Sequence, residues 1–250
     1  MTKEPQTRQE ARRRKQETYK PNSRIRTIIG VILILAAVVL LAIEPAKNYL
    51  IQRGSSQNTV SNLTREQIEA NQLADVTYNW EDINTLSASE VLASSINPSD
   101  LPTIGGMAIP ELAMNLPIYK GVSNEGMFYG AGTLYPDQEM GVSNYSLASH
   151  HSINKGLLFE PLMRAEIGQK IYLTDLNQIY VYEIDYIDTV PATAVEVTYP
   201  TEQARVTLIT CDSGLVDRVI VQGQLVETLD VDDAGADILS YFEIDQTITS

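Results

Sequence analysis

Cysteine and histidine are scarce in this chain. Its 250 residues include one cysteine, Cys211, and two adjacent histidines, His150 and His151. A single cysteine excludes any disulfide within the chain. An unpaired thiol is a liability in an oxidising compartment, so it is either a small buried hydrophobe or has a chemical role. Because a reactive thiolate needs a base or an imidazolium partner, a cysteine–histidine site here has almost no freedom of assignment.

Basic residues are scarce beyond the first 26 positions. Met1–Arg26 holds nine Lys and Arg against three Asp and Glu, whereas the rest of the chain holds nine against 29. The basic tail lies next to an apolar run, and the remainder of the chain is strongly acidic. An acidic outer region argues against nucleic-acid binding, so we expect no nucleic acid among the partners.

Long apolar runs are absent apart from Ile28–Ile43, which is 16 residues without a charge. A bilayer core needs roughly 20, and the flanking residues extend the run to a workable length. Basic residues precede the run and Glu44 follows it, which favours a cytoplasmic N-terminus. We see no convincing signal-peptidase site after the run. The sequence therefore predicts an uncleaved, single-pass anchor in the cell membrane over residues 27–46, with everything after it outside the cell.

The remaining chain divides by composition. Residues 1–26 are predicted to be a cytoplasmic basic tail, residues 47–100 an extracellular stalk with an N-terminal helical segment, and residues 101–250 a separate domain. Gly54–Asn58 is polar and predicts a flexible linker. Short helices are predicted over 63–73 and 87–94, because Thr64 with Gln67 and Ser87 with Glu90 have capping-box spacing.

From about residue 101 the chain consists of short apolar runs separated by Gly, Pro, Asn and Asp, which predicts a mostly β, closed or sandwiched domain. One helix-like interruption is predicted over Leu157–Ala165. The predicted strands are Met107–Ile109, Leu116–Tyr119, Tyr145–Ala148, Gln169–Thr174, Ile179–Ile187, Val206–Thr210 and Arg218–Val221.

The lone cysteine lies where two predicted strands meet. Val206–Thr210 reads as a strand that ends at Cys211, and Asp212-Ser213-Gly214 then predicts a turn. Arg218 begins the following strand. A thiol at a strand tip with an arginine returning beside it suits a nucleophile and an oxyanion partner, although a small buried cysteine would also fit this stretch alone.

The segments TLITC, ending at Cys211, and SLASHH, ending at His151, together with the trailing Arg218, resemble the signature of the class A sortases. These are membrane-anchored cysteine transpeptidases of Gram-positive bacteria. The resemblance extends from about Ile104 to Glu227 and implies an eight-stranded β-barrel. It also implies that the substrate is an LPxTG-like sorting signal on a surface protein, cleaved between Thr and Gly. The thioacyl enzyme would then be resolved by an amine of a peptidoglycan precursor.

The resemblance also implies roles for individual residues. Cys211 would be the nucleophile, His150 its proton-transfer partner and Arg218 the stabiliser of the oxyanion, with the backbone N–H after Cys211 as a second donor. Alternation along a strand supports His150 rather than His151, since neighbouring residues face opposite sides. A bulge in the strand would reverse this and make His151 the partner. The positions matching the signal pocket are Ala148, Thr207 and Ile209, with Asp188–Ala204 as its mobile wall.

Two points stay open. Some family members bind calcium, and this chain has acidic residues in the corresponding regions, but they form no ligand pattern, so we expect no cofactor. These residues are Asp137, Glu139, Glu196 and Glu202. The alternatives to a transpeptidase are a non-enzymatic, membrane-anchored β-module, in which Cys211 is structural, and a papain-like hydrolase. The hydrolase is disfavoured because its cysteine would open a helix, whereas Cys211 closes a strand.

Overall fold

The computed structural model describes residues 23–79, 83, 87–94 and 96–243. The chain forms two compact units, Met1–Pro45 and Ala46–Ser250. Helix α1, Ser23–Gln57, begins in the first unit and ends in the second. Among the described residues it is the one helix that is long and apolar enough to cross a membrane, by length and composition. Residues 1–22 of the predicted basic tail lie outside the described part of the chain.

The second unit begins with the last turns of α1, where the sequence predicted a flexible linker. The helix instead continues through Gln57, and Ile51, Ser55 and Asn58 are buried. Gly54 explains the close packing, because a Cβ at this position would lie 2.3 Å from Cδ1 of Tyr129. The polar residues of this stretch therefore belong to a helix end that packs against Tyr129. Polar composition alone does not distinguish such a helix end from a flexible linker.

Both short helices predicted before the barrel are present. Helix α2 is Arg65–Gln72, and its N-cap Thr64 forms a complete capping box with Gln67. Helix α3 is Ala88–Ala93, and its N-cap Ser87 accepts a hydrogen bond from the Glu90 backbone N–H. These side-chain bonds satisfy backbone donors that a short helix otherwise leaves without partners.

Eight strands close into a barrel, as the resemblance implies. Around the barrel the strand order is β1-β2-β3-β4-β7-β8-β6-β5. The pairs β2–β3 and β4–β7 are parallel and the others antiparallel. The strands are β1 Thr103–Ile109, β2 Met114–Tyr119, β3 Ala131–Thr133, β4 Asn144–Ala148, β5 Lys170–Thr174, β6 Gln178–Pro191, β7 Arg205–Cys211 and β8 Asp217–Asp230.

Alternation along the strands divides the side chains between two apolar clusters. Leu147 of β4 and Leu208 of β7 belong to the main core inside the barrel. Their neighbours Ala148 and Ile209 pack instead with Val122 and other residues in a separate cluster. Because successive side chains of a strand point to opposite faces, the second cluster lies on the outer face of β4 and β7.

The remaining helices are short. Helix α4 is Asn124–Tyr129 and helix α5 is Ala236–Ser240. The predicted helix over Leu157–Ala165 is instead a single 3-10 segment, Glu160–Arg164. Glu160 folds back to accept the Gly156 backbone N–H at 2.8 Å, and this contact holds the segment in a tight turn after the histidines.

Candidate active site

Cys211 is the last residue of β7 and is half-buried. The chain then turns tightly, because the Asp212 carboxylate accepts the backbone N–H of Val216 at 2.8 Å and that of Asp217 at 3.1 Å. These bonds hold the pKa of Asp212 below its usual value. The Asp212 backbone N–H, predicted as a second oxyanion donor, donates to the Asp217 carbonyl at 3.0 Å. It is therefore engaged in the strand ladder.

Arg218 lies directly across the ladder from Cys211. The two residues are paired in the antiparallel register of β7 and β8. The guanidinium donates from Nη1 to the Asp217 carbonyl at 3.2 Å, a neutral partner, so its charge is left for another ligand. Side chains at directly paired positions of a sheet are close neighbours. The tight turn therefore brings a fixed cation beside the thiol.

His150 follows β4, which runs parallel to β7. Ala148 is paired with Ile209, and the next N–H, that of Ser149, donates to the Ile209 carbonyl at 3.2 Å. Continuing this register by two residues sets His150 level with Cys211. The three candidate residues thus lie at the same end of β4, β7 and β8, which are adjacent strands of the barrel.

The environment of His150 is apolar. The imidazole is 6% exposed and stacks on the Phe128 ring, with centroids 5.8 Å apart and an interplanar angle of 27°. Burial lowers the pKa of His150 to about 4, opposed by the Glu90 carboxylate. Its Nε2 has no hydrogen-bond partner within the described residues. The imidazole is therefore neutral near pH 7, and its buried Nε2 is left for a partner that the described residues do not supply.

His151 has a different environment from its neighbour. It forms an isolated antiparallel bridge with Leu158 and is half-buried. Burial lowers its pKa, and the carboxylates of Glu160 and Asp212 oppose that shift. Neither histidine is therefore in open solvent, and the two are held by separate contacts.

An apolar cavity of about 370 Å³ is lined in part by Arg218. Ile209 lines it, as do residues from the predicted wall between β6 and β7. Ala148 and Thr207 do not line it: Ala148 packs beneath it with Ile209, and Thr207 is fully buried, donating to Asn144 Oδ1 at 2.6 Å. The lining residues are Tyr78, Leu134, Tyr135, Pro136, Ala192, Ala194, Val195, Val197, Thr198, Ile209, Arg218 and Ile220.

The acidic residues considered for calcium do not converge. Asp137 and Glu139 line a neighbouring hollow, whereas Glu202 borders a different one with Asp185. Within the described ranges no group of three or more His, Cys, Asp or Glu side chains could hold a metal ion. This donor set does not fit the several oxygen ligands that calcium requires, and the expectation that no cofactor is needed stays a prediction.

Two aromatic residues beside the candidate site, Phe128 and Tyr78, are not indicated by any sequence motif. Phe128 belongs to α4, 22 positions before His150, and Tyr78 precedes the barrel altogether. Both are aromatic residues in apolar surroundings, which usually mark a core. No spacing rule connects either of them to the cysteine.

Comparisons with known proteins agree with the motifs. A family model described as a sortase domain matches residues 107–226. The chain is 36% identical over 225 residues to sortase A of Streptococcus agalactiae, covering 87% of this chain and 91% of that protein. It is 32% identical over 206 residues to sortase A of Listeria monocytogenes, covering 82% and 93%. The Listeria monocytogenes sortase A structure matches with a TM-score of 0.53 and 37% identity, over 56% of this chain and 97% of that chain.

Proposed function

Since the chain belongs to the class A sortases, a family of cysteine transpeptidases, we propose that it cleaves an LPxTG-like sorting signal between Thr and Gly. The acyl group, held as a thioester on Cys211, is transferred to an amine of a peptidoglycan precursor, which joins a surface protein to the cell wall. Family membership makes the chain an enzyme rather than a non-enzymatic β-module. The observation that supports the site is that the register of β4, β7 and β8 brings Cys211, His150 and Arg218 to the same end of the barrel, beside an apolar cavity.

The first chemical step forms a thioester. The Cys211 sulfur attacks the carbonyl carbon of the signal threonine while His150 Nε2, neutral because burial lowers its pKa to about 4, takes the thiol proton. The carbonyl oxygen becomes an oxyanion, and the Arg218 guanidinium stabilises that charge. The C–N bond then breaks, and the imidazolium gives its proton to the leaving glycine amine.

The second step resolves the thioester. An amine of the cell-wall precursor attacks the thioester carbonyl, and His150 takes a proton from that amine. The C–S bond breaks, the new amide is released, and the proton returns to the sulfur. Water is a poorer competitor where an apolar wall borders the site, and such a wall is formed by Ala192, Val195 and Val197.

We also propose the orientation of the chain in the membrane. The nine basic residues before the apolar segment and the acidic remainder after it favour a cytoplasmic N-terminus. Helix α1 would then carry the catalytic domain on the outer surface, where both the sorting signal and the precursor amine are presented.

A ligation assay tests this function. The full chain in detergent is incubated with a Leu-Pro-x-Thr-Gly peptide and a glycine- or alanine-based amine, and the products are identified by mass. We expect the Thr–Gly bond to be cut and the amine to be joined to threonine. The full chain is required because residues before 75 contribute buried side chains, Ile51 and Ile68 among them. Failure to form a ligated product with any amine of this type would refute the proposal.

A further inference from the structure

Residues 74–78, between α2 and α3, pack against the barrel, and Tyr78 lines the cavity. The backbone of this segment is held there, because the Thr77 carbonyl accepts the Val122 N–H at 2.9 Å and the Ala74 carbonyl accepts Lys120 Nζ at 2.8 Å. Gly121 permits this approach: its φ is +74°, and a Cβ there would lie 2.5 Å from the Thr77 oxygen. The segment is therefore fixed to the barrel and lies outside residues 107–226, which match the family domain.

Tyr78 extends from this segment into the cavity. Its hydroxyl lies near the Thr133 side chain, whose effect opposes the rise that burial causes in the Tyr78 pKa. The ring is half-buried and lines the same cavity as Ile209 and Arg218. The ring therefore contributes to the apolar lining of the cavity.

We propose that Tyr78 is a substrate-binding, specificity-determining residue of this transpeptidase, and that its ring contacts the leucine side chain of the sorting signal. The proposal rests on the function proposed above. Leucine is the largest apolar side chain of such a signal, and a fixed aromatic ring offers it a large contact area at little cost in conformational entropy. The wall segment between β6 and β7 supplies the other apolar contacts, through Val195 and Val197.

The test is a double-mutant cycle between enzyme and peptide. Ligation by the full chain in detergent is measured for a Leu-Pro-x-Thr-Gly peptide and for the same peptide with alanine in place of leucine. Wild type, Tyr78→Ala and Tyr78→Phe are compared, with Tyr186→Ala as the matched control, because Tyr186 is an exposed tyrosine that does not line the cavity. Thermal melting of each variant confirms folding.

We expect Tyr78→Ala to lower kcat/KM for the leucine peptide about tenfold, the scale of one lost apolar contact, through KM rather than kcat. The preference for leucine over alanine should shrink by a similar factor. Tyr78→Phe retains the ring and should stay within about threefold of wild type, as should the Tyr186 control. If Tyr78→Ala melts too low to assay, Tyr78→Leu takes its place, and its leucine preference must still differ from that of wild type.

The possible failures are distinguishable. A wild-type chain that ligates no peptide refutes the proposed function itself. A working wild type beside a Tyr78→Ala variant with unchanged leucine preference overturns only the role of Tyr78. A variant with higher kcat/KM also overturns it, since the segment would then obstruct the cavity.

Discussion

At the residue level, the candidate site is defined by how few cysteines and histidines the chain has and by how deeply each histidine is buried. One cysteine and two histidines leave few possible pairs, and the structure gives the histidines different surroundings. His150 stacks on Phe128 and is 6% exposed, whereas His151 pairs with Leu158 and is half-buried. The register of β4 and β7 favours His150 as the partner of Cys211.

The two histidines can be separated by alanine substitution. His150→Ala should abolish ligation, because a positioned acid–base group contributes about 10²–10⁴ in rate. His151→Ala should keep a substantial part of the activity. Steady-state ligation rates of the two variants decide the matter, and each serves as the control of the other. An inactive His151 variant beside an active His150 variant would reverse the assignment.

The role of Arg218 is tested by keeping its charge and changing its geometry. A guanidinium presents a planar fork of donors that an ammonium lacks, so Arg218→Lys should lose about 10²-fold in kcat, the scale of one oxyanion donor. Arg205→Lys is the control, since Arg205 lies at the other end of the same strand as Cys211 and pairs with Asp185. An Arg218→Lys variant as fast as wild type would mean that only long-range charge matters there.

Among the secondary-structure elements, strands formed by apolar runs with strong β propensity were predictable. Short strands made of small residues were not. Seven of the eight strands follow from such runs. The eighth, Ala131–Thr133, is three residues of Ala, Gly and Thr, and only its pairing with β2 and β4 makes it a strand. Its conformation depends on partners far away in the sequence, which local pattern does not reveal.

The candidate site also has some features that the local sequence predicts and others that depend on the folded chain. The positions of Cys211, Arg218 and His150 at one end of adjacent strands were predictable, because alternation and register can be counted there. Their catalytic roles stay predictions. The Asp212 N–H was wrongly expected to be a free donor, because the closing bond of the turn, to the Asp217 carbonyl, is a feature of the folded ladder. The position of Tyr78 beside the cavity could not be predicted, since it depends on the Thr77–Val122 backbone bond and on the close approach that Gly121 permits.

Helix α1 offers a matched pair of glycines to test how its end docks. Gly54→Ala should lower the stability of the catalytic unit by about 1–3 kcal/mol, the usual cost of overpacking, because the new Cβ would overlap the buried Tyr129 ring. Gly30→Ala adds a Cβ with nothing within 4 Å and should be neutral or slightly stabilising. Thermal melting of both variants in detergent is the measurement. Equal melting temperatures would contradict the close packing of Gly54.

At the scale of the whole molecule, charge is divided along the chain. A basic tail precedes an apolar helix, and a strongly acidic remainder follows it. This arrangement is typical of an anchor that keeps its N-terminus in the cytoplasm.

The orientation can be measured in intact cells with a membrane-impermeant maleimide. In a Cys211→Ala background, Thr7→Cys and Ser250→Cys each introduce a single thiol on either side of the apolar helix. The Ser250→Cys variant should be labelled in intact cells and the Thr7→Cys variant only after permeabilisation. Labelling of the Thr7→Cys variant in intact cells would refute the proposed topology.

The central claim is that Cys211 carries the acyl group between the sorting signal and the amine. Intact-mass measurement of the full chain, incubated with a Leu-Pro-x-Thr-Gly peptide and no amine, tests it most directly. We expect a mass gain equal to the peptide up to its threonine less one water, which disappears when a glycine-based amine is added. Cys211→Ala should melt like wild type, since only one heavy atom is lost at a strand end, and should show neither the adduct nor ligation. A Cys211→Ala variant that still ligates within tenfold of wild type would contradict the account.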